Sequence, residues 1–150
     1  MEPTPLSADF RDFLKCLNDH GVEYLLIGGH AVAYHGYVRP TQDMDVWIAV
    51  SPDNARRMVA AVEAFFGCKL EGLAPGWFLD TEQVTRFGVQ PHLIEILTRI
   101  DGAEFGSAYS HRIVSELDGL RINIIALADL KINKRASGRN KDLADLDNLP

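Results

Sequence analysis

The chain has 150 residues, 47% of them apolar and 24% charged, the proportions of a globular domain whose core needs no metal or disulfide staple. Those proportions exclude disorder, coiled coil and collagen, and no apolar run is long enough to span a bilayer, so no membrane role is expected. The formal net charge of −6 argues against a general nucleic-acid binder, which needs a basic surface to displace counterions from phosphate.

One domain covering residues 1–150 is expected from the length. The opening stretch MEPTPLSADF has neither a basic nor an apolar signal region, so no secretion signal is expected. Cys16 and Cys68 have no ligand spacing and read as two buried thiols in a reducing cytoplasm. A cytoplasmic location is the resulting expectation.

In chain order, Ser7 to His20 carries Phe10, Phe13, Leu14 and Leu17 at helical spacing, with Ser7 as cap and Gly21 as stop. Val22–Ile27 reads as a short buried strand that ends at Gly28-Gly29. A short helix follows from His30 to about His35. Met44–Val50 is a second strand. Ser51-Pro52 then opens a helix that runs to about Phe66 and stops at Gly67. Residues 70–91 are interrupted by Gly and Pro and give no clear period. Leu93–Thr98 is a strand. Ile113–Leu117 and Leu120–Ile125 flank Asp118-Gly119, a hairpin signal. The tail from Ala126 to Leu149 reads as two short helices split at Ser137-Gly138. The expected fold class is α/β (α+β), a mixed sheet packed with helices mainly on one side.

Three features of this pattern carry chemistry. First, a strand runs into Gly28-Gly29 and a helix start. That is an ordinary turn, or a place where backbone N–H groups meet an anion. Neither G-x-G-x-x-G nor a Walker A sequence is present. Second, Asp43 and Asp45 lie two apart at the head of a strand, so they share a face, and like charges that close repel. They are either solvated carboxylates at a frayed strand end or hard oxygen ligands for Mg²⁺ or Mn²⁺. Third, Glu95 sits inside the apolar run Leu93–Leu97. It either pairs with a basic side chain or joins the same metal site as a third carboxylate.

Gly28-Gly29, Asp43-Met44-Asp45 and a later strand carboxylate resemble the signature of the DNA polymerase β-like nucleotidyltransferase superfamily. The stretch GGHAVAYHGYVRPTQDMDVWI and the tail ADLKINKRASGRNKDLADLDNL are similar to the small AbiEii-type nucleotidyltransferases of abortive-infection and toxin–antitoxin systems. The resemblance covers roughly residues 10 to 149. Gly29 stands where the superfamily often has Ser, and Glu95 where it commonly has Asp.

The resemblance implies a minimal nucleotidyltransferase fold and transfer of NMP from a nucleoside triphosphate to a hydroxyl, with release of pyrophosphate. The acceptor it implies is an RNA or tRNA end or a protein. Asp43, Asp45 and Glu95 are the implied metal ligands and catalytic residues, holding two Mg²⁺ ions, and Glu95 is also placed to take the acceptor's proton. Gly28, Gly29 and His30 would admit the phosphates. Arg39, and Lys131 and Lys134 on one helix face, would contact nucleotide, with Arg135, Arg139 and Lys141 as weaker candidates. The competing reading gives Arg39 a local acid partner and laces the basic helix to Asp129, Asp142 and Asp145.

Two other functions fit the same residues. One is a non-catalytic relative that binds nucleotide or a cognate toxin or antitoxin protein. The other is a small-molecule (antibiotic) nucleotidyltransferase. A chain this short also leaves room for acceptor recognition through a partner or a homo-oligomer. His35 reads as a helix-end or core histidine. Trp77, Phe78 and Phe87 read as packing rather than as a base-stacking platform.

Overall fold

The computed structural model describes residues 6–89 and 92–150. Residues 1–5, part of the stretch read above for a secretion signal, and residues 90–91 lie outside the described residues. The elements are α1 (Ala8–Asp19), β1 (Tyr24–Ile27), α2 (Gly28–Tyr34), β2 (Met44–Ile48), α3 (Pro52–Phe66), a 3-10 turn (Pro75–Leu79), β3 (Val84–Phe87), β4 (Ile94–Leu97), α4 (Phe105–Ser110), β5 (Ile113–Leu117), β6 (Leu120–Ile124), α5 (Leu127–Ser137) and α6 (Asn140–Asn148). Among the described residues no helix is long and apolar enough to cross a membrane.

Local chemistry sets the long helices. The Ser7 hydroxyl accepts from the Phe10 amide at 3.2 Å and opens α1. Ser51 does the same for Asn54 at 3.1 Å, with Pro52 in the first turn of α3, a position where a missing N–H costs nothing. Both helices bury one stripe. Phe10, Phe13, Leu14 and Leu17 of α1 and Ala55, Met58, Ala61 and Val62 of α3 enter the core.

The six strands form one mixed sheet in the order β3-β4-β2-β1-β6-β5. The β1–β2, β3–β4 and β5–β6 pairs are antiparallel, whereas β2–β4 and β1–β6 are parallel. Asp118 and Gly119 both take positive φ between β5 and β6, which is why Asp-Gly forecasts this hairpin. Along β2, Met44, Val46 and Ile48 share the face that α1 and α3 cover, and Trp47 faces the other way, edge-on to Phe105 of α4 at 5.1 Å. Helices therefore lie on both faces, not mainly on one as expected, because α4 packs on Trp47 opposite α1 and α3. The thiols also differ from expectation: Cys16 is half-buried at the groove beside α1 and Cys68 is exposed just past α3.

The mixed α/β class expected from sequence is the observed one. Three elements had no forecast: the 3-10 turn, β3 and α4. β3 is a four-residue edge strand in which Val84 and Arg86 are exposed, too short and too wet to give a period. α4 has six residues and buries only Ala108. α2 also starts two residues earlier than the spacing suggests, at Gly28.

Asn54 ties the first turn of α3 to the sheet. Its Oδ1 accepts from the Glu23 amide at 2.8 Å, and its Nδ2 donates to the carbonyls of Ala49 (2.8 Å) and Glu23 (3.2 Å). The residue is buried, so truncation strands backbone groups without water. Asn54→Ala is expected to lower unfolding stability by about 3 kcal/mol, measured by urea denaturation with an unchanged slope.

Candidate active site

The sheet register makes the site. Ile27, Asp45, Glu95 and Arg86 stand in one row across β1, β2, β4 and β3. Asp45 and Glu95 are therefore direct neighbours on a parallel pair, where like charges repel. Burial pushes the Asp45 carboxyl up to about 6; the charge of Glu95, a hydrogen bond with it and the charge of Asp43 add to the rise, and Lys141 opposes it. Glu95 also accepts from the Arg86 guanidinium at 3.1 Å. Glu95 thus has the basic partner of one sequence alternative, and it stands beside Asp45.

Gly28 explains why the strand must run into glycine. A Cβ on Gly28 would lie 2.4 Å from Oδ2 of Asp45, and the residue sits at φ +69°, where side chains are disfavoured. A Cβ on Gly29 would lie 2.8 Å from the Thr41 side chain and 3.3 Å from the Arg39 guanidinium. The two glycines admit Asp45 and the 39–41 loop to the backbone.

Asp45 and Glu95 line a cavity of about 470 Å³, together with Gly28, Gly29, Arg139 and Lys141. The lining mixes both signs, with Asp45, Glu82, Glu95 and Asp101 against Arg99, Lys134, Arg139 and Lys141. The hydrogen bond with Asp142 raises the Arg139 pKa against the effect of burial, and the charge of Asp45 adds to the rise.

The other candidates lie elsewhere. Asp43 immediately precedes β2, outside the cavity lining, and acts on Asp45 through its charge. His30 is buried edge-on to Phe10 at 5.6 Å, and burial pulls its pKa down. It does not line the cavity. Lys131 donates to the Pro150 carbonyl and also stands outside the lining.

Arg39 and Lys134 belong to a buried ion network. Asp145 accepts from Arg39 Nε at 2.8 Å and Nη2 at 3.0 Å, and pairs with Lys134 at 3.0 Å. Lys134 also pairs with Asp142 at 3.2 Å, and Asp142 accepts from Arg139 Nε at 2.7 Å. Burial alone would raise the Asp145 carboxyl, but the hydrogen bonds from Arg39 and Lys134 hold it below its ordinary value. Lys134 reaches the cavity edge with its ammonium already between two carboxylates. Arg139 and Lys141, the weaker candidates by sequence, line the cavity, and so does Arg99, which the sequence reading did not single out.

Among the described residues no three His, Cys, Asp or Glu side chains converge to hold a metal ion. The donor chemistry still suits one class of ion. Mg²⁺ is commonly held by one or two carboxylates, with water and substrate phosphate completing the shell. Asp45 and Glu95 supply such a pair, and their mutual repulsion is what a divalent cation would relieve.

No family model matches the chain, and no curated protein is significantly similar to it in sequence. Solved structures do match. One is a Thermotoga maritima protein assigned as a nucleotidyltransferase, with a TM-score of 0.59, 17% identity and coverage of 91% of this chain and 87% of that one. Another is an antigenic nucleotidyltransferase-like protein from Paracoccidioides brasiliensis, with a TM-score of 0.54, 16% identity and coverage of 97% and 76%. The chain has a nucleotidyltransferase-like fold. At these identities the likeness speaks for the fold, and the chemistry rests on the residues above.

Two expectations follow for stability. A carboxyl raised from 3.8 to about 6 in the fold loses stability as pH climbs through that interval, because the folded state holds the proton longer than the unfolded one. In chelator-treated buffer, Asp45→Asn is expected to be more stable than wild type by about 3 kcal/mol above the upper value and no more stable below the lower one, read from melts across pH. Asp145→Ala is expected to cost roughly 3 kcal/mol, because Arg39 and Lys134 lose a buried partner; urea denaturation at neutral pH checks it.

Proposed function

We propose that this protein is a metal-dependent nucleotidyltransferase that moves a nucleoside monophosphate from an NTP to an acceptor hydroxyl and releases pyrophosphate. The observation that carries the reading is the adjacent pair Asp45–Glu95 in a cavity that Arg139 and Lys141 also line. The nucleotidyltransferase-like fold supports it.

Asp45 and Glu95 would hold Mg²⁺ or Mn²⁺, with Asp43 adding negative charge beside them. Such a cation, when bound, supplies charge neutralisation to the triphosphate and lowers the pKa of a bound hydroxyl. Arg139 and Lys141 orient the polyphosphate from the cavity lining, as cations placed where negative charge develops. Gly28 and Gly29 let the Asp45 carboxylate and the 39–41 loop pack against the backbone that lines the cavity. Glu95, partly exposed and paired with Arg86, is placed to accept the acceptor's proton. Arg39 and Lys134 serve through their ion network, by fixing the loop and helix that carry Gly29's neighbours and Arg139.

The finer reading follows the resemblance to AbiEii-type enzymes. The acceptor is then an RNA or protein hydroxyl, and a cognate toxin or antitoxin protein is the natural partner. The acidic net charge gives a long RNA little to bind beyond the cavity.

Thermal melts with each NTP, with and without Mg²⁺, test the reading alongside a pyrophosphate-release assay. A Mg²⁺-dependent stabilisation of about 2.7 kcal/mol is expected at one hundred times the dissociation constant. It should disappear in Glu95→Gln and weaken at least tenfold in affinity in Arg139→Ala/Lys141→Ala, while Lys131→Ala binds as wild type. Stabilisation without pyrophosphate release from any acceptor tried would favour a nucleotide-binding relative that does not transfer. Absence of both signals would sink the proposal.

A further inference from the structure

A second concavity, of about 600 Å³, lies on the other face of the sheet, between α1, the end of α3 and the β3–β4 edge, and shares no lining residue with the first. One wall is aromatic. Phe65 and Phe66 meet at 5.1 Å, Phe66 and Phe87 at 5.4 Å, and fully buried Phe13 backs Phe65 at 5.2 Å. Phe66 is 44% exposed, a large apolar lip that the described residues leave uncovered. The other wall is acidic. Asp9, Asp12 and Asp19 fall on one stripe of α1, at the spacing that puts residues on one helix face. Lys15 pairs with Asp19 at 2.7 Å. Arg11 of the same helix points away, to the carbonyls of Leu117 and Asp118. Asp9 and Asp12 therefore face the groove, whose described lining carries Lys15 and His92 as its basic side chains.

We propose that this groove docks a segment of a protein partner that presents bulky apolar side chains flanked by lysine or arginine. The occupant follows from complementarity. A phosphate backbone is repelled by Asp9 and Asp12, so nucleic acid does not fit here. A purely apolar segment would leave both carboxylates to lose water without a partner. A segment with an apolar anchor and basic flanks fills the Phe65–Phe66–Phe87 wall and meets the acidic stripe, the combination of anchor and charged rim found at specific interfaces. The cavity with Asp45 stays open on the opposite face, so docking and nucleotide binding are separable.

The probe is a fluorescein-labelled synthetic peptide of leucine and lysine with one tryptophan, followed by anisotropy. Two controls replace its lysines by glutamate or its apolar residues by serine. Binding is expected for the parent peptide and at least about tenfold weaker for both controls. Phe66→Ser and Asp9→Asn/Asp12→Asn, all at exposed positions, should each weaken the parent peptide about tenfold. Added salt should weaken it in wild type and little in the double Asn variant. Should Phe66→Ser fail to melt cooperatively, the Asp9→Asn/Asp12→Asn protein decides alone. Equal binding of the serine or glutamate control, or unchanged affinity in the Asn variant, overturns the proposal. So does a wild-type dimer in sedimentation that Phe66→Ser dissolves, which would make the occupant a second copy of this chain.

Discussion

Two carboxylates held side by side on adjacent parallel strands are an unfavourable arrangement, and much of this fold serves to permit it. The β2–β4 register puts Asp45 against Glu95. Gly28 gives up its side chain so that Asp45 can lie on the backbone. Arg86 on the edge strand balances Glu95 from one side, and Lys141 acts on Asp45 from the other. The apolar residues that alternate with these acids, Met44, Val46, Ile94 and Ile96, anchor both strands in the core. The sheet can therefore carry a locally repulsive pair without losing its register. Strain of this kind concentrates where charge is to be used rather than merely solvated.

The second organising element is the ion network under α5 and α6. These helices bury little apolar surface: α5 buries Leu130 with Lys134, and α6 buries Asp142 and Asp145. Charge pairing orients them instead. The chain of contacts runs from Arg39 through Asp145, Lys134 and Asp142 to Arg139. It begins beside Gly29 and ends at the cavity lining. The backbone side and the basic side of the site are thus held by one connected set of hydrogen bonds.

The parts of this arrangement that local chemistry governs were legible in the sequence. Ser7 and Ser51-Pro52 mark helix starts because capping is local, and Asp118-Gly119 marks a hairpin because positive φ is local. The strand around Asp45 and the strand around Glu95 were visible as apolar runs, and the mixed α/β class followed from their alternation with helices. What the sequence did not reveal depends on distant partners. For Arg39 and Lys134 the sequence weighed phosphate against acid partners, and only the fold shows that Asp145 and Asp142 take them. Arg139 and Lys141 look secondary until the turn after α5 brings them to the cavity. The i, i+3 and i, i+4 spacing of Lys131, Lys134 and Arg135 suggested one basic face, yet Lys131 turns to Pro150 and Lys134 turns inward. β3 escaped notice because a short edge strand with exposed side chains carries almost no hydrophobic pattern.

The Arg39–Asp145 pair joins positions 106 residues apart, and it does so through two parallel hydrogen bonds that no other side-chain pair reproduces with the same shape. Such a pair constrains how the gene can drift. A change at either position alone leaves a buried charge behind, so neutral change must arrive in company with a compensating one at the far end of the chain. Across any set of descendants of this sequence, positions 39, 134, 142 and 145 should therefore vary together or hardly at all, while the exposed positions between them on α5 and α6 wander freely.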